Sequence, residues 1–291
     1  MHTPVLVPEV VEFLRPRPGQ RMIDGTVGLG GHALALLPRL LPGGRLLGID
    51  CDETALSAAA ERLSKYRGHF DLAYGNFRDL PAVAAREGYS AADGILLDLG
   101  VSSAQLDASE RGFSFAAEGP LDMRLDPSQR TTAATLLRRA SARELERIFR
   151  EYGDERYARR IARAVAAERG RLRTTTDLAR LIERVVPTRE RRIHPATRCF
   201  LALRVATNDE LGALEAALDA APGLLAPGAR MAVISFHSHE DRLVKHRFRD
   251  QARAGVMSVV TRKPVRPSAE EVSRNRRSRS AKLRVAERAT A

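Results

Sequence analysis

Two stretches constrain this chain more than any others: Arg21 to His32, RMIDGTVGLGGH, and Gly44 to Asp50, GRLLGID. Each is a short apolar run that ends in an acid, and the first acid leads into Gly25, Gly28, Gly30 and Gly31. This is how a strand, a tight loop and a helix are spelled in a nucleotide-binding sheet. Glycine lets the backbone turn sharply and lets a ligand touch main-chain N–H groups that a Cβ would screen. The helix predicted to begin near His32 aims its unpaired donors into the same space. Asp50, at the tip of the second strand, is placed to accept hydrogen bonds from both ribose hydroxyls. A bare tight turn would account for the glycines but not for Asp50, so the pair implies an adenosine-containing cofactor.

The segments RMIDG, GRLLGID, HFDLAYGNF and ADGILLDLGVSS alternate with helix-like stretches such as Thr54 to Arg67. That alternation predicts a parallel sheet with crossover helices, an α/β architecture. The strand rhythm stops after Ser103 and resumes at ARMAVISF, Ala229 to Phe236; Val256 to Arg262 and Lys282 to Glu287 are candidates for two further, antiparallel strands. The interval is helical. Ser141 with Glu144, and Thr174 with Asp177, spell capping boxes, and Leu178, Leu181, Ile182, Val185 and Val186 share one helix face. The expected organisation is a sheet domain in two parts, 1–106 and 207–291, around an inserted, mainly helical domain, 107–206.

A chain of 291 residues with 44% hydrophobic content can bury a full core. No apolar run approaches the roughly 20 residues of a membrane span, and MHTPVLVPEV lacks the layout of a signal peptide. A cytoplasmic protein with no membrane partner is expected, with Cys51 and Cys199 as free thiols. The net charge of +12 is unevenly placed. Arg138 to Arg204 holds 19 Arg against 9 acids, and Arg262 to Ala291 holds 10 Lys and Arg against 3 acids, leaving the remainder net acidic. Either block alone reads as a solvated face. Two of them beside an acidic nucleotide-binding core point to a polyanion, most simply nucleic acid.

Eight further stretches carry a family resemblance: HTPVL (His2 to Leu6), DGTVGLGGH (Asp24 to His32), GILLDLGVSSAQLD (Gly94 to Asp107), ERGFSF (Glu110 to Phe115), GPLDMR (Gly119 to Arg124), HPATR (His194 to Arg198), SFHS (Ser235 to Ser238) and RSAKLR (Arg279 to Arg284). In content and order the chain resembles the bacterial 16S ribosomal RNA cytosine-N4 methyltransferases, the RsmH or MraW family. The resemblance implies a Rossmann-like S-adenosylmethionine-dependent methyltransferase sheet with an inserted helical domain, acting on 16S ribosomal RNA within the small ribosomal subunit. It implies cofactor contacts at Gly30, Gly31, His32, Asp50, Phe77, Asp98 and Gln105. The target would be the exocyclic amine of a cytosine in the decoding region.

That reaction asks a protein to align an amine with an activated methyl and to exclude water. The cytosine amine lone pair is delocalised into its ring, so an acceptor for an amine hydrogen would favour the nitrogen that develops in the transition state. Many amine methyltransferases place a Pro-Pro-aromatic clamp after the fourth strand, whereas this chain has Asp98-Leu99-Gly100-Val101-Ser102-Ser103. Asp98, Ser102, Ser103 and Asn208 are therefore the candidate acceptors, with turn capping as the ordinary role for the serines. Phe113 and Phe115 are candidates either to stack on a flipped base or to fill a half-buried strand edge. HSHED, His237 to Asp241, imitates a metal-binding pattern but has Arg242 in place of its last histidine, so no metal is expected. Two other functions fit parts of the pattern. The GxGxxA spacing of Gly28 to Ala33 suits an NAD-dependent oxidoreductase, and the basic blocks alone suit a non-catalytic RNA-binding assembly protein.

Overall fold

The structure, a computed structural model, describes residues 4–187 and 194–290 and divides into two compact units, Met1–Gly100 with Leu211–Ala291, and Val101–Glu210. The first unit runs α1 (Val7–Leu14), β1 (Arg21–Asp24), α2 (Gly31–Leu40), β2 (Arg45–Asp50), α3 (Glu53–Arg62), β3 (Phe70–Tyr74), α4 (Leu80–Arg86) and β4 (Ala92–Asp98). The second holds α5 (Ser103–Asp107), α6 (Ala133–Arg139), α7 (Ala142–Gly153), α8 (Ala158–Glu168), α9 (Thr175–Val185) and α10 (Ala196–Asn208). The chain then passes through α11 (Glu210–Leu224) to β5 (Leu225–Ser235), α12 (Ser238–Arg253), β6 (Met257–Val259), α13 (Ala269–Arg274) and β7 (Lys282–Arg288).

The described strands form one sheet in the order β3-β2-β1-β4-β5-β7-β6. β1 to β5 are mutually parallel, and β7 lies antiparallel between β5 and β6. The strands read as continuous apolar runs because both faces are covered. Ile23, Leu47, Ile95, Leu97 and Val233 face one core, which α4 and α11 close with Leu80, Leu214 and Leu218. Met22, Leu46, Leu96, Ala232 and Ile234 face the other, closed by Val10 of α1 and Leu36 and Leu37 of α2.

The helical unit has a core of its own, built from Leu145, Ile148, Phe149, Ile161, Val165, Leu178, Ile182 and Leu203. Both expected capping boxes are present: Ser141 and Glu144 exchange bonds of 3.2 and 2.7 Å, and Thr174 and Asp177 bonds of 3.2 and 3.0 Å. On α9, Leu178, Leu181 and Ile182 are buried, with Val185 and Val186 packed partly against the same core. The units divide at 100/101 and 210/211, against the expected 106/107 and 206/207. Gly100, at φ 102°, turns the chain after β4, and Ser102 then starts a newly capped helix. The predicted helix over 54–67 ends at Arg62, where the chain tightens into one 3-10 turn, Ser64–Tyr66.

Ile95 sits mid-strand in β4, fully buried, between β1 and β5. Ile95→Ala is expected to cost about 2–5 kcal/mol in a denaturant unfolding curve. An unchanged midpoint would contradict the central place of β4.

Candidate active site

The loop after β1 forms the floor of the site. A Cβ on Gly25 would lie 2.6 Å from Leu97 Cδ2 and 3.5 Å from Phe77 Cβ, so the neighbouring elements close on this position. Gly28 and Gly30 have φ of 50° and 76°, a backbone that side chains resist. The Gly28 N–H donates to Asp50 Oδ2 at 2.8 Å, and the Val27 N–H to the Ile49 carbonyl at 2.9 Å, which ties the loop to the tip of β2. A Cβ on Gly28 would meet only the Thr26 carbonyl, 3.9 Å away, so the space in front of it is open. Gly31 also packs against the protein: a Cβ there would sit 3.0 Å from Pro4.

Three acids and a histidine surround this loop. Asp50 Oδ1 accepts from the Asp52 N–H at 3.0 Å, and burial pushes its carboxyl up to about 6. The Asp98 N–H donates to the Thr26 hydroxyl at 2.6 Å, which fixes the end of β4 against the loop. Asp98 Oδ2 lies 3.6 Å from His32 Nδ1, and Oδ1 is buried with no hydrogen-bond partner. Burial, and then the charge of Glu240, push Asp98 up to about 7. Asp24 is wholly buried, with Oδ1 accepting from the Thr26 N–H at 3.2 Å and Oδ2 unpartnered; burial raises it to about 6, and the Thr26 N–H bond offsets part of that rise. His32 Nε2 is 2.9 Å from the Val5 carbonyl, so that nitrogen carries the proton and the Nδ1 lone pair faces Asp98. Burial lowers the His32 pKa and keeps the ring neutral. The Val5 segment is anchored in turn by the Leu6 N–H, which donates to Glu271 Oε1 at 2.9 Å.

A cluster of desolvated carboxyls with unpartnered oxygens gains most from a cation or a hydroxyl donor. A pyrophosphate would meet like charge there. The donor set therefore fits S-adenosylmethionine, which brings a sulfonium, an ammonium and ribose hydroxyls, and does not fit a dinucleotide.

The structure brings Gly30, Gly31, His32, Asp50, Phe77 and Asp98 together in the first unit. Phe77, half-buried, opens a 3-10 turn after β3 and packs on the core beside Gly25. Ser102, Gln105 and Asn208 belong to the helical unit and have defined structural work there. Ser102 Oγ accepts from the Gln105 N–H at 3.2 Å and Gln105 Oε1 from the Ser102 N–H at 2.9 Å, a capping box at the head of α5. Asn208 Oδ1 accepts from the Leu125 N–H at 2.7 Å, while its Nδ2 donates to the carbonyls of Met123 and Arg204 at 2.7 and 2.9 Å. Its amide thus brackets the loop that carries GPLDMR. Phe113 is buried, and Phe115 packs against His194 and Phe200 with centroids 4.5 and 4.8 Å apart, so both rings serve the helical core. In HSHED, Asp241 accepts from Arg284 at 2.6 Å and Lys282 at 3.2 Å. The side chain of Ser103, and Arg189, Arg191 and Arg192 beside HPATR, lie outside the described residues.

Asp24 and Thr26 stand beside these candidates, and the sequence reading assigned them no role of their own. Their signal was present: RMID ends in an acid just as GRLLGID does, and a Thr two residues on can turn its hydroxyl towards the neighbouring strand.

A parallel sheet with an antiparallel β7 inserted beside β5, a glycine loop after β1 and an acid closing β2 define the class: this is an S-adenosylmethionine-dependent methyltransferase. Sequence comparison narrows the class, because residues 1–289 match the MraW methylase family and the chain belongs to it. It is 49% identical over 304 residues, covering 99% of this chain and 93% of the relative, to "Ribosomal RNA small subunit methyltransferase H" of Thermomicrobium roseum. A protein of the same name from Cyanothece sp. is 50% identical over 288 residues, covering 99% of this chain and 95% of the relative. Solved structures are more distant. TrmN from Thermus thermophilus shows 15% identity and a TM-score of 0.46 over 97% of this chain and 48% of that one. Aeropyrum pernix fibrillarin with natively bound S-adenosyl-L-methionine shows 10% identity and a TM-score of 0.41 over 93% and 67%.

Two measurements test the site. The raised pKa of Asp98 means that ligand-free protein is stabilised by this group at low pH and loses that contribution as pH rises from the ordinary carboxylate value through about 7. A cationic ligand selects the ionised form, so S-adenosylmethionine affinity is expected to fall about tenfold from pH 8 to pH 6, with proton release on binding. Calorimetry in buffers of different ionisation enthalpy reads this, and a flat profile in wild type would contradict it. Asp50→Ala is expected to weaken binding about ten- to a hundredfold, through loss of charge-assisted ribose bonds of about 1.5–3 kcal/mol.

Proposed function

We propose that this chain methylates 16S ribosomal RNA of the small ribosomal subunit in the cytoplasm, on the exocyclic N4 amine of a cytosine in the decoding region. The observation that carries this reading is Asp98. Of the candidate acceptors Asp98, Ser102 and Asn208, it alone has an oxygen with no partner, and it stands at the carboxyl end of β4 beside the glycine loop. The names of the relatives and the segregated basic charge support the RNA substrate. In the helical unit the exposed residues include Arg143, Arg147, Arg159, Arg160 and Arg163, which suit a phosphate backbone.

S-adenosylmethionine, when bound, supplies a methyl already activated by its sulfonium. The protein's own part is positioning. Gly28, Gly30 and the head of α2 shape the loop, and Asp50 is set to hold the ribose. Asp98, kept in place by Thr26, accepts a hydrogen either from the cytosine amine or from the cofactor's ammonium group. His32 stays neutral, so it leaves the Asp98 charge for the ligand.

Ring-carbon chemistry commonly needs a thiolate nucleophile, and neither Cys51 nor Cys199 sits in a motif that provides one. Cys199 is buried among helices of the second unit, and burial pushes its thiol well up. Incubation with small-subunit RNA and methyl-labelled cofactor, followed by nuclease digestion and mass spectrometry, is expected to place the label on the exocyclic amine of cytosine. Label on ring carbon or ribose oxygen would overturn the reading. Asp98→Ala is expected to lower kcat/KM by about a hundredfold or more.

A further inference from the structure

Along α12, Glu240 and Asp241 turn inward and are engaged, while Arg242, Lys245 and Arg249 fall at helical spacing on one side. Lys245 and Arg249 line a cleft of about 200 Å³ between α12 and the β6–β7 edge of the sheet. Val259, backed by the buried ring of Phe248, gives it an apolar floor, Thr261 and Arg284 its inner wall, and Arg262 its rim. The positive charge at the mouth is unspent. Among the described residues, Lys245, Arg249 and Arg262 make no ion pair, whereas Arg284 is held by Asp241 at 2.6 Å. The Thr261 hydroxyl is also occupied, accepting from the Val285 N–H at 2.8 Å.

We propose that this cleft is a docking site for the RNA substrate, separate from the cofactor loop. Lys245, Arg249 and Arg262 take backbone phosphates of a single-stranded segment, and one unpaired base rests against Val259. Three arguments favour this occupant. The cleft is smaller than the roughly 300–1,000 Å³ typical of small-molecule pockets, so it suits one unit of a polymer better than a free metabolite. Three uncompensated cations around an apolar floor match the two chemistries that a single-stranded nucleotide presents. The cleft also continues directly into the basic segment that begins at Arg262. α12 lies outside both basic blocks of the sequence, so the docking surface is wider than charge counting shows. β1 is third in the strand order and β7 and β6 sixth and seventh, which puts three to four strand spacings, about 14–19 Å, across the sheet between loop and cleft.

The inference rests on the reading of the chain as an RNA methyltransferase, and the test separates the two. The full-length protein carrying Lys245→Ala, Arg249→Ala and Arg262→Ala is titrated by fluorescence anisotropy with a naked single-stranded 16S RNA fragment over a range of salt. Affinity at physiological salt is expected to fall about tenfold to fiftyfold, and the log–log salt slope to flatten by about 2, roughly 0.7 for each phosphate contact. S-adenosylmethionine affinity stays within about twofold, since screening acts over roughly 8–10 Å. The charge-keeping variant Lys245→Arg, Arg249→Lys, Arg262→Lys is expected to bind RNA like wild type. Wild-type RNA affinity and slope in the alanine variant would overturn the proposal, as would loss of binding to whole subunits with naked RNA binding intact, which would assign the cleft to a ribosomal protein. Wild-type protein that neither binds nor methylates RNA would overturn the methyltransferase reading itself, and the cleft proposal with it.

Discussion

The bond from the Gly28 N–H to the Asp50 carboxylate, 2.8 Å long, is the constraint on which the site depends. It joins the loop after β1 to the tip of β2 and so fixes where α2 begins. α2 in turn carries His32, whose Nε2–H is spent on the Val5 carbonyl and whose Nδ1 faces Asp98. One line of contacts thus runs from β2 through the loop and α2 to the end of β4. Its energetics are poised. A charge-assisted hydrogen bond contributes about 1.5–3 kcal/mol, while burying a carboxylate costs more unless it is fully paired. Asp98 and Asp24 remain incompletely paired, so the protein has kept part of its polar capacity for a ligand.

Much of this arrangement was legible in the sequence because it rests on short-range rules. The apolar runs at β1, β2, β3 and β4 end where they should, and Lys282 to Glu287 forms the antiparallel strand. The capping boxes at Ser141 and Thr174 formed because their partners lie three residues away. What escaped was decided by distant contacts. The packing of Gly31 against Pro4, from a segment more than twenty residues earlier, has no local signal. Asn208 reads as a polar candidate acceptor, but its carbonyl and amino groups are occupied by Leu125, Met123 and Arg204, residues whose approach no local pattern announces. Val256 to Arg262 shrinks to a three-residue strand because the N–H groups of Val260 and Thr261 both turn to the Val285 carbonyl, which ends the ladder.

The helical unit shows why family motifs and functional residues differ. In GPLDMR, the Arg124 guanidinium forks onto Asp122 with two 2.7 Å bonds and also donates to the carbonyls of Pro127 and Gln129. In HPATR, His194 Nδ1 accepts from the Ala196 N–H at 3.2 Å and its ring packs on Phe115. Arg124 thereby holds the turn that follows GPLDMR, and His194 the head of α10.

The place of β7 bears on how the molecule is made. β6 joins the sheet only through β7, and β7 occupies residues 282–288. Glu271, which holds the Leu6 N–H and with it the segment over His32, is also late in the chain. While the polypeptide is being synthesised, the glycine loop emerges more than two hundred residues before the elements that close the sheet and pin the Val5 segment. A nascent chain can build its parallel strands, but it acquires a finished binding site only after Glu271 and the residues of β7 have also been made.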